Sequence, residues 1–316
     1  MVKIGFLIST KENENRRALL PAHVRQLANP ELMVIEQGYG LAMGLKDSEY
    51  RKAGATVADR ERVSACPIIC DLKPMVEDQY YHPGKTLFGW IHAVQGRRIT
   101  DQLLENKMTA IAWEDMFFER RHVFWRNNEI SGEAAVVHAF LQWGRAPYGV
   151  RAALIGQGNV GRGALRALER LGCTVTVYNR MTSCLLRQEI GEYDVVVNAV
   201  LWDVFRDDHL VYDADLDRMK PRSLIIDISC DEKMGVESSH PTTIAAPVYW
   251  HKNVLHYAVD HTAALYFTTA SESISEALVP YLDKLVGGES CPVLDEATII
   301  REGVILDERI VTFQKR

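Results

Sequence analysis

Three glycines with the spacing G-x-G-x-x-G lie at positions 156, 158 and 161 of the 316-residue chain. In such a turn the first glycine permits a sharp change of direction, the second lets the backbone approach a pyrophosphate, and the third lets a helix pack closely on a strand. The unpaired N–H groups at the start of the next helix attract phosphate. The motif therefore predicts a dinucleotide site that includes Gly156, Gly158, Asn159, Val160 and Gly161.

The residues around these glycines predict the flanking elements that the motif requires. An apolar run at 152–155 predicts a strand, the apolar spacing at 164–171 a helix, and the β-branched run at 174–178 a second strand. NAD sites place Asp or Glu at the end of that second strand to bind the ribose 2′-hydroxyl, but this chain has Asn179 and Arg180. A guanidinium group suits a 2′-phosphate, so the sequence favours NADPH as the cofactor.

Three other side chains have the chemistry that reduction of a carbonyl or an imine requires. Such a reaction needs a cation to fix a carboxylate and a group that exchanges protons near neutral pH. Arg16 follows the loop after a strand predicted at 2–8. Lys73 comes at the end of a strand predicted at 66–72, and His92 at the end of one predicted at 86–93. Spacing alone leaves alternatives open, because Arg16 and Lys73 are also consistent with surface residues and His92 with a core histidine.

Strands alternate with helices along both halves of the chain, a pattern that is typical of parallel α/β sheets. A helix at 131–143, capped by Ser131, would connect the halves, and a helix at 273–285 would return to the first. We therefore expect two Rossmann-like domains with parallel sheets and a cleft between them. The predicted substrate domain is 1–130 plus 270–316, and the predicted NADP-binding domain is 131–269.

The strands at 193–200 and 223–229 are predicted to continue the sheet of the glycine turn. Their carboxyl ends lie at the sheet edge where open α/β sheets bind ligands. Ala199, Val200 and Ser229 are therefore also predicted to contact the nucleotide.

Composition excludes several classes of function. Hydrophobic residues make up 47% and charged residues 25% of the chain, as in ordinary globular proteins. The net charge of −6 argues against nucleic acid as a partner, and no apolar run is long enough for a membrane span. The six dispersed cysteines indicate reduced thiols and a cytoplasmic location. Cys66 and Cys70 lack a second cysteine pair, so no metal site is expected.

Several motifs that occur in one order along the chain indicate a protein family more specifically than any single motif does. In order they are Arg16-x-Ala-Leu-x-Pro, Lys73-Pro74, His92, Ala112-Trp113-Glu114, the glycine turn and the element from Asp227 to Asp231. Together they resemble the alanine dehydrogenase and nicotinamide transhydrogenase family, to which the saccharopine dehydrogenases are similar. The resemblance covers nearly the whole chain and implies that Lys73 and His92 are catalytic. It also implies a set of substrate-binding residues, namely Arg16, Lys73, Glu114, Asp231, Asp260 and His261.

Two departures from alanine dehydrogenase refine the expected reaction. Asn179-Arg180 replaces the acid expected for NAD, and Val259-Asp260-His261-Thr262 stands where that enzyme has an asparagine-containing loop. A Val-Asp-His element resembles saccharopine-forming members of the family. The resemblance implies an NADPH-dependent condensation of a 2-oxo acid, with pyruvate expected, and the side-chain amine of ornithine or lysine, giving an N-(carboxyethyl)amino acid. It also implies a homo-oligomer with small-molecule substrates.

Two alternatives remain at this point. An alanine dehydrogenase would use ammonia in place of the second amino acid, and a nucleotide-binding module would resemble the transhydrogenase subunit. The missing acid after the second strand counts against both, since each would use NAD(H). Whether Lys73 or His92 is the principal acid is not decided by the sequence, although a partly buried lysine near another cation is expected to favour its neutral form.

Overall fold

The computed structural model describes residues 1–230 and 232–316, so Asp231 lies outside the described residues. The chain forms two compact units, one of Met1–Phe124 with Phe267–Arg316 and the other of Trp125–Tyr266. Each unit is built on a mostly parallel sheet with helices, which confirms the predicted α/β fold with two parallel sheets.

Sixteen strands are present in the part of the chain that the structure describes. In chain order they are β1 (Ile4–Phe6), β2 (Met33–Glu36), β3 (Thr56–Ala58), β4 (Ile68–Cys70), β5 (Thr86–Gly89), β6 (Thr109–Ala112), β7 (Phe117–Phe118), β8 (Arg121–His122), β9 (Arg151–Ile155), β10 (Thr174–Tyr178), β11 (Val195–Asn198), β12 (Leu224–Asp227), β13 (Val248–His251), β14 (Val254–Tyr257), β15 (Thr298–Arg301) and β16 (Val304–Ile305).

The α-helices, over the same described residues, range from one turn to more than five. They are α1 (Pro21–Val24), α2 (Asp47–Lys52), α3 (Arg60–Ser64), α4 (Arg97–Glu105), α5 (Trp125–Trp143), α6 (Asn159–Arg170), α7 (Ser183–Glu189), α8 (Phe267–Gly287), α9 (Pro292–Glu296) and α10 (Glu308–Gln314).

The first unit contains an eight-stranded sheet in the order β16-β15-β6-β5-β4-β1-β2-β3. The strands from β6 to β3 are parallel, and β15 and β16 add an antiparallel edge beside β6. Ile274, Leu278 and Leu282 recur on one face of α8 and pack into the same core as Ile4 and Phe6 of β1. This helical period buries α8 along one stripe, so the C-terminal segment completes the first unit.

The second unit contains a six-stranded sheet in the order β10-β9-β11-β12-β14-β13, in which only β13 is antiparallel. Helices α5 and α6 contact each other backbone to backbone. A Cβ atom at Gly132 would lie 2.0 Å from the Val160 carbonyl oxygen, and one at Gly163 would lie 1.9 Å from the Glu129 carbonyl oxygen. Because only glycine fits at both positions, this contact fixes α6, and with it the glycine turn, against α5.

Several predicted element boundaries are wrong. Helix α5 begins at Trp125, six residues before the predicted start, and Ser131 does not cap it. Instead the Ser131 hydroxyl donates a hydrogen bond to the Asn127 carbonyl oxygen at 3.2 Å, four residues back within the helix. Serine can bond to backbone in either place, so its presence alone does not mark a helix start. Strand β5 likewise ends at Gly89, so His92 lies on the loop that follows it.

Candidate functional site

The glycine turn has the geometry that the spacing predicts. Gly156 has a φ of +105°, which places the turn in a backbone region that favours glycine. A Cβ atom at Gly161 would lie 2.3 Å from the Gly156 carbonyl oxygen, whereas one at Gly158 would meet no described atom within 4 Å. The first and third glycines therefore serve the turn itself. At Gly158 the protein leaves an open cradle that a Cβ would fill, immediately before α6 begins at Asn159.

A cavity of about 640 Å³ lies in front of this turn. Its lining joins the turn to the ends of β10 and β11, through Asn179 and Arg180 on one side and Ala199 and Val200 on the other. The Asn179 side-chain oxygen accepts the Met181 N–H at 2.8 Å, which shapes the loop after β10. Arg180 is exposed at the cavity. These residues fit a dinucleotide, because backbone N–H groups, an open glycine and a cation converge on one cavity.

The carboxyl ends of β11 and β12 are held together by side chains. The Asn198 amide donates to the Asp227 carboxylate at 2.9 Å, and the Cys230 N–H donates to the same carboxylate oxygen at 3.2 Å. The Ser229 hydroxyl donates to the Val200 carbonyl oxygen. Burial raises the pKa of Asp227. The Ser229 hydroxyl thus helps to hold the two strand ends together. Ser229 is not among the residues that line the cavity, although its bonding partner Val200 is.

In the first unit, three neighbouring strands bring Lys73, His92 and Glu114 together. Lys73 follows β4, His92 follows β5 and Glu114 follows β6, and these parallel strands are adjacent. The Lys73 Nζ and His92 Nε2 atoms lie 3.1 Å apart, within hydrogen-bond distance. Glu114 accepts the backbone N–H groups of Ile91 at 3.2 Å and of His92 at 2.5 Å. Glu114 therefore positions the loop that carries His92.

His92 is exposed, so the alternative of a core histidine is wrong. Its backbone adopts a φ of +50°, a left-handed conformation that is uncommon for residues other than glycine. Such strain persists where surrounding contacts over-determine it, and the Glu114 carboxylate provides such a contact. Withdrawal of this carboxyl group from water raises the pKa of Glu114 to about 7.

Asp71 is a site residue that the sequence did not identify. It is fully buried directly after β4, accepts the Lys73 N–H at 3.1 Å and accepts the Tyr80 hydroxyl at 3.2 Å. Burial, with the nearby Asp78 carboxylate, raises the pKa of Asp71 to about 7. A Cβ atom at Gly89 would lie 1.8 Å from the Asp71 carbonyl oxygen, so a glycine is needed where β5 passes this residue. The sequence did contain one signal for Asp71, namely an acidic residue between two apolar residues at the end of a strand.

The raised pKa of Asp71 predicts a pH-dependent stability. Between about pH 4 and pH 7 the folded chain holds a proton on Asp71 that the unfolded chain releases, so this group lowers the free energy of unfolding as pH rises through that range. The Asp71→Asn variant lacks this titrating group. The free energy of unfolding of the variant minus that of the original chain should therefore be roughly 1–3 kcal/mol larger at pH 8 than at pH 5. Urea unfolding at both pH values measures this, and an equal difference at both would contradict it.

Arg16 is buried and paired. Its Nε donates to the Glu14 carboxylate at 2.8 Å, and its Nη2 bonds to the other oxygen of that carboxylate. The guanidinium group also lies over the Trp90 ring, with 5.0 Å from Cζ to the ring centroid. The alternative of an exposed loop arginine is therefore wrong. Glu14, two residues away in a polar loop, gave no sequence signal that it would orient Arg16.

Asp260 and His261 form a pair in the second unit, where the Asp260 carboxylate is hydrogen-bonded to the His261 Nδ1. His261 is buried and Asp260 is partly exposed. The next residue, Thr262, donates from its hydroxyl to the Ser131 carbonyl oxygen of α5 at 2.9 Å. The predicted substrate contact at Asp231 lies outside the described residues.

The fold and the glycine turn define a two-unit α/β protein with a Rossmann-type dinucleotide site. Family models described as "Alanine dehydrogenase/PNT, N-terminal domain" and "Alanine dehydrogenase/PNT, C-terminal domain" match residues 8–123 and 179–314. The chain belongs to the alanine dehydrogenase/PNT family. Among the described residues, no helix is both long enough and apolar enough to span a membrane.

Individual relatives agree with this membership. The chain is 32% identical over 295 residues to an N(5)-(carboxyethyl)ornithine synthase of Clostridium botulinum, covering 87% of this chain and 92% of the relative. It is 28% identical over 351 residues to the alanine dehydrogenase of Bacillus subtilis, covering 98% and 93%. A solved structure of an L-alanine dehydrogenase shares the fold, with a TM-score of 0.84, 23% identity and 99% of both chains covered.

Proposed function

We propose that the chain is an NADPH-dependent enzyme that condenses a 2-oxo acid, with pyruvate as the first choice, with the side-chain amine of ornithine or lysine. The product would be an N-(carboxyethyl)amino acid. The identity of 32% over most of the chain to an N(5)-(carboxyethyl)ornithine synthase supports this choice of reaction. The observation that carries the proposal is the contact between Lys73 Nζ and His92 Nε2, because it pairs an amine and an imidazole where a reacting carbonyl needs proton exchange.

In this proposal the first unit binds the oxo acid. Arg16 and Lys73 hold its carboxylate by charge-assisted hydrogen bonds, and the Glu14 carboxylate keeps the Arg16 guanidinium in a fixed orientation. His92 accepts the proton released when the amine attacks the carbonyl carbon and returns a proton as water leaves. Lys73, at hydrogen-bond distance from His92 Nε2, shares this proton exchange.

The remaining candidate residues have supporting roles. Glu114 keeps the His92 loop in place through its two backbone hydrogen bonds. We assign Asp231, Asp260 and His261 to the ammonium and carboxylate groups of the second amino acid. The Asp260 carboxylate, bonded to His261 Nδ1, also fixes which ring nitrogen of His261 carries a proton.

The second unit is proposed to bind the nucleotide. Gly156, Gly158 and Gly161, with the backbone of Asn159 and Val160, would hold the pyrophosphate, while Ala199, Val200 and Ser229 border the nicotinamide half. Bound NADPH supplies the hydride that reduces the imine carbon. Exposed Arg180 at the end of β10, in place of an acid, supports NADPH over NADH.

One assay tests this function against its alternatives. Oxidation of NADPH and of NADH is followed at fixed pyruvate while ammonia, ornithine or lysine is added in turn. We expect NADPH to be consumed with ornithine or lysine, and a product with a new C–N bond to be found by mass spectrometry. Turnover with ammonia alone would instead identify an alanine dehydrogenase. The absence of turnover with every amine, although nucleotide binds, would favour the nucleotide-binding module.

A further inference from the structure

The nucleotide cavity contains a second cation that the sequence did not single out. Arg206 lies on the loop after β11 and lines the same cavity as Arg180. The two arginines come from different strand ends, so they reach the cavity from separate parts of the chain. Across the described residues, neither a hydrogen bond nor an ion pair engages the Arg180 side chain.

The Arg206 guanidinium is held in place by two neighbours. Its Cζ lies 4.4 Å from the centroid of the Trp202 ring, and Trp202 is buried. One edge of the guanidinium, Nε and Nη2, donates to both carboxylate oxygens of Asp208, with 2.7 Å at Nε. Among the described residues the third nitrogen, Nη1, has no protein partner. A planar guanidinium bound along one edge and on one face loses little further freedom when its other end binds an anion.

The acidic side chains near Arg206 do not bind the Nη1 end of its guanidinium group. Asp208 binds the Nε edge, and Asp203, which also lines the cavity, accepts the Phe205 N–H at 3.1 Å within the loop backbone. The cavity therefore presents two guanidinium groups without a carboxylate bridging them. A dianionic phosphate is the group on a dinucleotide that two such cations recognise best.

We propose that Arg206 and Arg180 together form a subsite for the 2′-phosphate of the adenosine half, with Trp202 and Asp208 orienting Arg206. This inference rests on the proposed use of NADPH. Arg206 acts here as a specificity-determining residue, because it distinguishes a phosphorylated from an unphosphorylated ribose and leaves the common adenosine and pyrophosphate contacts unchanged.

The test measures binding of two nucleotide fragments to the full chain by calorimetry. Adenosine 2′,5′-bisphosphate carries the 2′-phosphate, and adenosine 5′-monophosphate lacks it. We expect Arg206→Gln to weaken binding of the bisphosphate about 10- to 100-fold, the usual effect of losing a charged hydrogen bond, and to change binding of the monophosphate less than about twofold. Arg206→Lys keeps the charge without the planar fork and should lie between these limits.

Arg187 provides a matched control in the same unit. Like Arg206 it is about half exposed, pairs through Nε with an aspartate, here Asp215, and lies over an aromatic ring, here Tyr212 at 4.2 Å. It does not line the cavity. Arg187→Gln should leave the affinities for both fragments within about twofold of the original.

Each outcome has a defined meaning. The decisive quantity is the affinity for the bisphosphate divided by the affinity for the monophosphate. If Arg206→Gln leaves this ratio unchanged while Arg180→Gln lowers it, the subsite consists of Arg180 alone. This inference is then overturned, although the use of NADPH stands. If the unaltered chain binds both fragments equally well, the use of NADPH fails, and the subsite fails with it. A drop in the ratio for both variants, with the Arg187 control unchanged, supports the two-arginine subsite.

Discussion

Replacing Lys73 or His92 with alanine should lower kcat/KM for the condensation by about 10²- to 10⁴-fold, the range expected when a positioned proton-transfer group is lost. The Nζ and Nε2 atoms of these residues are 3.1 Å apart, so each variant also removes the hydrogen-bonding partner of the other. Neither residue belongs to the unit with the glycine turn, and nucleotide affinity should therefore stay within about twofold of the original.

Steady-state kinetics and nucleotide titration of the same preparations measure the two effects separately. His82→Ala and Lys52→Ala are suitable controls, because both side chains are exposed in the first unit and neither takes part in the proposed chemistry. The pH dependence of kcat in each variant reports which of the two groups is the principal acid. If both alanine variants retained full activity, the proposed roles would be refuted.

The second large effect is expected at Gly158. A Cβ atom there would meet no described atom within 4 Å, so alanine fits the protein but occupies the cradle before α6 where the pyrophosphate would approach. Gly158→Ala should weaken nucleotide binding about 10- to 100-fold through the loss of hydrogen bonds to a charged group. The free energy of unfolding should fall by about 1 kcal/mol or less, since alanine is a poorer residue than glycine before a helix.

Two other glycines make this prediction specific. Gly161→Ala would bring a Cβ within 2.3 Å of the Gly156 carbonyl oxygen, so it should reduce both stability and nucleotide binding. Gly287→Ala, with its nearest contact at 3.4 Å, should affect neither. Fluorescence titration with NADPH and urea unfolding give the two readouts. Unchanged nucleotide affinity in Gly158→Ala would show that the cradle does not hold the pyrophosphate.

The sequence placed Lys73 and His92 at the ends of predicted strands, and the family resemblance named Glu114 as a further site residue. In the structure the three lie together because the carboxyl ends of adjacent parallel strands share one edge of a sheet. The sequence did not predict how these side chains are supported. Asp71 precedes a loop, and only the structure shows that β5 passes close enough to bury it. Likewise, the pairing of Arg16 with Glu14 depends on the path of an irregular loop, for which no periodic pattern exists.

The glycine turn was the most predictable part of the fold, since its spacing, strand and helix all follow local rules. The start of α5 was not, because Ser131 bonds backward within the helix and does not cap it. Arg206 was also missed, for it lies 26 positions after Arg180 along the chain, on a loop whose approach to the cavity depends on tertiary structure.

The two sides of the cavity differ in the kind of contact they provide, and this difference has an evolutionary consequence. In the proposed function the glycine turn would contact the nucleotide through backbone groups, and Gly156 and Gly161 have no room for a side chain. At the opposite side the lining includes exposed side chains on loops, such as Arg180 and Arg206, which are not part of the hydrophobic core. If the proposed roles hold, a few loop substitutions are expected to change which nicotinamide nucleotide the chain prefers, while the turn proposed to bind the shared pyrophosphate stays constant.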